Sequence, residues 1–163
     1  MEYFLRPPLP AVQRLLAQSR LPTADLTPAL MQHFLACGAP EDPAGVVGLE
    51  LHGPLALLRS LAVAEKYRGS GLGKILVAVA EAHAQSQGVR ELCLLTTTAE
   101  RFFERLGYQR TAREAAPAAI RESSEFTTLC PASAAFMCKR LDRRARSEAA
   151  PAGGLHDRAH VAR

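Results

Sequence analysis

Apolar and polar positions change period several times along this chain, and each change marks the border of an element. Residues 3–6 read as a short opening strand, stopped by Pro7-Pro8. Residues 10–20 then carry Val12, Leu15 and Leu16 at helical spacing, and a second short helix is expected behind Thr23 as its N-cap. Alternation at 33–37 predicts a strand ahead of the turn Gly38-Ala39-Pro40-Glu41-Asp42-Pro43. Residues 46–52 and 55–63 give two further strands around a tight turn at Gly53-Pro54. From Gly73 a helix sets Leu72, Ile75, Leu76 and Val79 on one face and ends near Gly88. Residues 89–96 form an apolar strand, and 99–106 a short helix closed by Gly107. A strand from Tyr108, a helical or irregular stretch over 115–131 and a last strand at 134–141 complete the body.

Length adds one domain, over residues 1–142, and residues 143–163 carry no apolar period, so they are expected to be a disordered basic tail. The net charge of +4 is concentrated there. From Lys139 onward seven basic residues face three acidic ones, which leaves the rest neutral and argues against nucleic-acid binding. No window approaches the run of about 18 apolar residues that spans a bilayer, and the start Met1-Glu2-Tyr3-Phe4 has no leader pattern. The expectation is a soluble cytoplasmic protein with no membrane partner. The four cysteines, Cys37, Cys93, Cys130 and Cys138, show no CxxC pair and no histidine at metal spacing, so neither a disulfide nor a metal site is expected.

The chemistry is concentrated where a strand runs into Arg68-Gly69-Ser70-Gly71-Leu72-Gly73-Lys74 and a helix begins. Glycines leave backbone N–H groups uncovered and the helix directs its positive end at them, which makes an anion cradle. Spacing removes two of the motifs that could occupy it. A phosphate loop of the Gly-x-x-x-x-Gly-Lys-Ser/Thr type would need glycine at Arg68 and a hydroxyl at Ile75. A dinucleotide fingerprint begun at Gly69 would need glycine at Lys74.

What remains is Arg-x-x-Gly-x-Gly, and this segment resembles the acetyl-CoA loop of the GNAT acetyltransferase superfamily. A second segment, Thr96-Thr97-Thr98-Ala99-Glu100-Arg101-Phe102-Phe103-Glu104-Arg105-Leu106-Gly107-Tyr108, resembles that family's Asn-x-x-Ala-x-x-Phe-Tyr-Glu-x-Leu-Gly-Phe signature. The resemblance implies an α/β (α+β) GNAT fold, a mixed sheet of about seven strands with flanking helices. It also implies acetyl-CoA as cosubstrate, with Leu61, Ala62 and Val63 pairing with its pantetheine arm. Arg68, Gly69, Ser70, Gly71, Leu72, Gly73 and Lys74 would surround the pyrophosphate, and Thr96 and Phe103 would border the cofactor. Segments 125–137, 21–26 and 94–98 are similar to an arsenic-resistance N-acetyltransferase-like branch. This implies a small amine as acceptor, an amino acid or an amino-arsenical, and a homodimer is common in the superfamily.

Phe103 stands where the family often has a tyrosine that protonates the departing thiolate, so that acid is missing. A hydroxyl among Thr96 to Thr98, Tyr108 or an ordered water are the substitutes. The acceptor amine needs a base, and Glu50, in a strand otherwise made of Val46, Val47, Leu49 and Leu51, is the first candidate, with His33 and His52 as alternatives. In the hairpin Glu50 lies diagonal to Arg59 on one side of the sheet. The two either form a plain ion pair, or Arg59 holds an acceptor carboxylate. Cys130 either packs in the core or lines the acceptor site, where it would meet a soft metalloid. Rival readings are a non-catalytic acyl-CoA sensor and a protein N-terminal or lysine acetyltransferase.

Overall fold

Hairpin chemistry builds the first half of the sheet. In the computed structural model, which describes residues 1–129 and 131–141, β1 is Tyr3–Leu5, β2 Phe34–Ala39, β3 Asp42–His52 and β4 Leu55–Val63. β5 is Glu91–Thr96, β6 Gln109–Arg110 and β7 Ala135–Arg140. The helices are α1 (Leu9–Gln18), α2 (Leu72–Ser86), α3 (Glu100–Arg105) and α4 (Ala118–Arg121). The strands lie in the order β1-β2-β3-β4-β5-β7-β6, antiparallel throughout except for β4 and β5. This is the mixed seven-stranded sheet expected above.

β4 and β5 run parallel for three residue pairs only, ending at Leu57 opposite Cys93. Beyond that point the two strands continue to Val63 and Thr96 without pairing, so the sheet opens into a wedge. β4 also carries a bulge. Val46 pairs with Ala62 and Gly48 with Arg59, which leaves Ser60 and Leu61 opposite the single residue Val47. Ser60 takes φ +57° there, a left-handed conformation that side chains seldom adopt.

Two layers cover the sheet. On one face α2 packs Leu72, Leu76, Val77, Ala80 and Ala84 against Val47, Leu49, Leu58, Leu92 and Leu94. On the other, α1 lays Val12, Leu15 and Leu16 over Phe34, Val46 and Ala62. Ala116 and Ile120 cover Leu57, Cys93 and Phe136. Among the described residues no helix is long and apolar enough to cross a membrane.

Three expectations need correction. No α-helix follows Thr23: Pro28 would remove a backbone donor from its interior, and the chain makes turns that end in a 3₁₀ turn at Leu30–His33. α2 is rotated from the face read in the sequence, leaving Ile75 46% exposed while Val77, Ala80 and Ala84 are buried. β3 begins at Asp42, because the register shift at Cys37/Gly38 accommodates Pro43 inside the ladder. The sheet edge at the C-terminal end is the two-residue β6, while β7 lies inside between β5 and β6. The expected tail, 143–163, and Cys130 lie outside the described residues.

Candidate functional site

The wedge between β4 and β5 is the mouth of a cleft of about 810 Å³. Leu61, Ala62, Val63, Arg68 and Gly73 line one side of it; Thr97, Thr98, Ala99, Glu100, Arg101 and Phe102 line the other. Five of the residues expected to hold the cofactor thus share one cavity.

The loop before α2 is shaped as its glycines suggest. Gly69 and Gly71 hold φ at +80° and +86°, and a Cβ on either would meet nothing within 4 Å. Gly71 is the N-cap of α2 and supplies no side-chain cap, so the N–H groups of Leu72, Gly73 and Lys74 have no partner within the helix. Open donors, a helix N-terminus and the Arg68 cation converge on one end of the cleft, which fits a pyrophosphate. Ser70 and Lys74 are exposed beside this loop, and Ser70 turns its hydroxyl back to donate to the Tyr67 carbonyl at 2.5 Å. Leu72 buries its side chain in the core, so only its backbone is available. Arg68 folds along the cleft and donates through Nε to the Val63 carbonyl at 3.0 Å.

Thr96 and Phe103 take structural positions. The Thr96 hydroxyl accepts the Ala99 N–H at 3.0 Å and so closes the turn into α3. Phe103 is buried against Phe102 and Tyr108 with its ring edge-on to both. The aromatic ring facing the cleft is its neighbour Phe102. Tyr108, named as a substitute acid, is buried and donates to Glu81 at 2.8 Å, with Lys139 bound to the same carboxylate. Burial, and then the Glu81 charge, push its hydroxyl above the ordinary tyrosine range, so it keeps its proton. The hydroxyls that do line the cleft are Thr97 and Thr98.

Two residues before Leu61, β4 buries Arg59 with its side chain fully out of solvent. Nε donates to Ser60 Oγ at 3.1 Å, and Nη1 and Nη2 grip Asp25 at 2.5 and 2.8 Å. Nη1 also donates to Glu50 at 2.8 Å, and Nη2 lies 3.1 Å from Glu125. All five guanidinium N–H groups are thereby engaged. Burial opposes the charge, but the contacts with Asp25, Glu125 and Glu50 outweigh it and raise the pKa above the ordinary arginine value. The expectation that Arg59 holds an acceptor carboxylate is therefore corrected: no donor is left for it. Of the two arrangements weighed for Glu50 and Arg59, the ion pair is the one formed.

Three carboxylates around one guanidinium leave a local surplus of negative charge. Glu50 Oε1 lies 4.0 Å from His52 Nε2, a buried nitrogen with no hydrogen-bond partner. His33 is engaged elsewhere, 3.2 Å from His83. Among the described residues no group of three or more His, Cys, Asp or Glu could hold a metal ion. Sequence reasoning did not assign Asp25 and Glu125 to Arg59, although both fall in segments quoted for their family likeness. The usable signal was a lone arginine in an apolar strand, which requires acidic partners.

The profile of the acetyltransferase (GNAT) domain family matches residues 31–110. An uncharacterised N-acetyltransferase of Chlorobaculum tepidum is 44% identical over 66 residues, 40% of this chain and 42% of that protein. The match therefore spans less than half of that relative's length. The fold is similar to N-acetylglutamate synthase of Neisseria gonorrhoeae solved with coenzyme A and L-arginine, at a TM-score of 0.73 and 18% identity. That alignment covers 87% of this chain and 33% of the synthase. A Mycobacterium tuberculosis protein solved with CoA superposes at a TM-score of 0.69 and 18% identity, covering 86% of this chain and 99% of its own. The seven-stranded fold is similar to that of these proteins, and residues 31–110 match the acetyltransferase (GNAT) domain family.

Proposed function

We propose that this protein is a cytoplasmic acetyl-CoA-dependent N-acetyltransferase that acetylates the amine of a small acceptor. The observation that carries the reading is the cleft itself, bounded by the unpaired backbone of β4 and by the open N-terminus of α2. In it the β4 backbone at Leu61 to Val63 takes the pantetheine amides. The N–H groups from Gly69 to Lys74 take the pyrophosphate, helped by the cations of Arg68 and Arg101. Because main-chain donors supply most of this binding, the glycines matter more than the charge of Lys74.

Transfer proceeds by attack of a neutral amine nitrogen on the thioester carbon, after which the C–S bond breaks and CoA leaves as thiolate. Alkyl amines hold their proton near pKa 10, so a base must take it. Glu50 fills that role in this reading, with His52 beside it. The leaving thiol has a pKa near 8.5, so without the family tyrosine the reaction forgoes at most a factor of about 10² to 10⁴. Thr97 and Thr98 offer hydroxyls at the cleft. The carboxylate surplus around Arg59 favours an acceptor that arrives as a cation over one that presents a carboxylate. Likeness to the arsenic-resistance branch adds amino-arsenicals to the candidates.

Steady-state CoA release with amino acids, diamines, an amino-arsenical and peptides tests the proposal. Turnover is expected with a small cationic amine. Tight acetyl-CoA binding with no turnover on any acceptor would instead favour a sensor, the reading that Phe103 supports, and turnover on peptides alone would favour a protein acetyltransferase. A homodimer through the β6 edge is read separately by sedimentation.

A further inference from the structure

Cys93 and Cys138 lie directly opposite each other on β5 and β7. Two backbone hydrogen bonds fix the kind of pair they make. Leu141 donates its N–H to the Arg90 carbonyl at 2.8 Å, and Thr111 donates to the Phe136 carbonyl at 2.8 Å. Hydrogen-bonded and non-hydrogen-bonded pairs alternate along an antiparallel ladder. Stepping from the hydrogen-bonded pair Arg90–Leu141 makes Cys93–Cys138 a non-hydrogen-bonded pair. Stepping from Thr111–Phe136 makes Gln109–Cys138 hydrogen-bonded, which turns the backbone groups of Cys138 toward β6 and away from β5. Both counts agree. Such a pair holds its Cα atoms about 4.5 Å apart with both side chains on one face, inside the range of about 4.4–6.8 Å that a disulfide spans.

The two thiols are reduced and share a hydrogen bond. Their environments are unequal. Cys93 is fully buried, and the hydrogen bond to Cys138, reinforced by burial, pushes its pKa up. Cys138 is half-buried, and the same hydrogen bond, aided by Thr111, lowers its pKa against burial and the charge of Glu91. Cys138 is thus the more nucleophilic and the more accessible thiol. Cys37 is buried in β2, bound to the Gly45 carbonyl. Cys93 also faces Leu57, the last pair that joins β4 to β5 before the wedge opens.

We propose that Cys93 and Cys138 form a reversible thiol–disulfide site that exchanges with low-molecular-weight disulfides. The Cys138 thiolate attacks one sulfur of the small disulfide, forming a mixed disulfide and releasing one small thiolate. Cys93 loses its proton to that thiolate and attacks the Cys138 sulfur, and the bond to the second small thiolate breaks. Two protein thiols are oxidised by two electrons, and one small disulfide is reduced to two thiols. The bridge ties β5 to β7 at the apex of the wedge.

The full chain is incubated with glutathione disulfide, quenched with an alkylating agent under denaturing conditions, digested and mapped by mass spectrometry. The expected result is a fall from four free thiols to two, a peptide joining Cys93 to Cys138, and recovery by dithiothreitol. Cys93→Ser should accumulate glutathione at Cys138, because the resolving thiol is gone, whereas Cys138→Ser should leave Cys93 unmodified. An unchanged thiol count in the unmodified chain overturns the proposal. So does a bridge from Cys138 to Cys130, or glutathione at Cys93 in Cys138→Ser.

Discussion

Replacing Arg59 by leucine isolates the buried ion cluster of β4. The guanidinium is buried, and Asp25, Glu50 and Glu125, with side chains 17%, 15% and 9% exposed, all lean on it. Leucine fills much of the volume but leaves three partly desolvated carboxylates around an apolar residue. Removing one partner of a buried ion pair costs about 3–5 kcal/mol, and three anions for one cation put this site at the upper end of that range. With a urea slope of about 2 kcal/mol per M, the unfolding midpoint near neutral pH should drop by about 2 M. Arg59→Lys keeps the charge but offers three donors where five are used, so its loss should be about half as large. The pH dependence supplies the second test. Stranded carboxylates in the leucine variant have folded pKa values above their unfolded ones, so the folded variant binds more protons and recovers stability as pH falls toward about 4.5. The gap to the unmodified protein should then narrow by at least ~1 kcal/mol. A midpoint shift under ~0.5 M at neutral pH, or one that is the same at both pH values, refutes this account of the cluster.

Gly71→Val should weaken CoA binding by an order of magnitude in calorimetry, since φ +86° costs a side chain about 1–2 kcal/mol, while Lys74→Ala should change it less than threefold. Tyr108→Phe should leave acetyl transfer unchanged within twofold yet lose about 1–3 kcal/mol in urea unfolding, because its hydroxyl serves the buried Glu81. Gly48→Ala should destabilise by about 1–3 kcal/mol, since its Cβ would stand 2.3 Å from the Phe34 ring, and Phe34→Leu should recover part of that loss. Burial, and then the facing His33, depress the pKa of His83, so the folded state resists protonating it. Stability should therefore fall as pH drops below about 6.5 and level off below the depressed folded value, a slope that His83→Gln removes from thermal melts taken across pH.

The element order was legible because Gly and Pro punctuate it: Gly53-Pro54, Gly88 and Gly107 each close an element where expected. The shape of the glycine loop was equally legible, since it depends on local backbone freedom. What the sequence hid was set by distance. Arg59 finds Asp25 34 residues upstream and Glu125 far downstream, and no local pattern links them. Phe102 and Phe103 are adjacent on one short helix, so their opposite destinations depend on how α3 is rotated against the sheet. α2 was misread for a related reason: Ile75 and Val77 are equally apolar, and only docking on β3 and β4 decides which one is buried.

The bulge at Ser60 and Leu61 bears on which changes in chain length β4 can tolerate. Up to Arg59, odd-numbered residues face the layer built by α4 and its neighbours, as Leu57 does. Beyond the bulge the parity inverts, so that Ala62 joins the α1 layer while Leu61 and Val63 pack toward α2. Deleting Ser60 would restore a regular ladder with Leu61 opposite Val47 and would leave Leu61, Ala62 and Val63 on the faces they now hold, whereas deleting a residue from the paired stretch 55–59 would turn side chains over. Val63 would stay on the α2 side, and the strand would lose only the extra residue and the left-handed conformation at Ser60. Relatives that keep this site should accordingly place any single-residue gap in β4 at the bulge of Ser60 and Leu61.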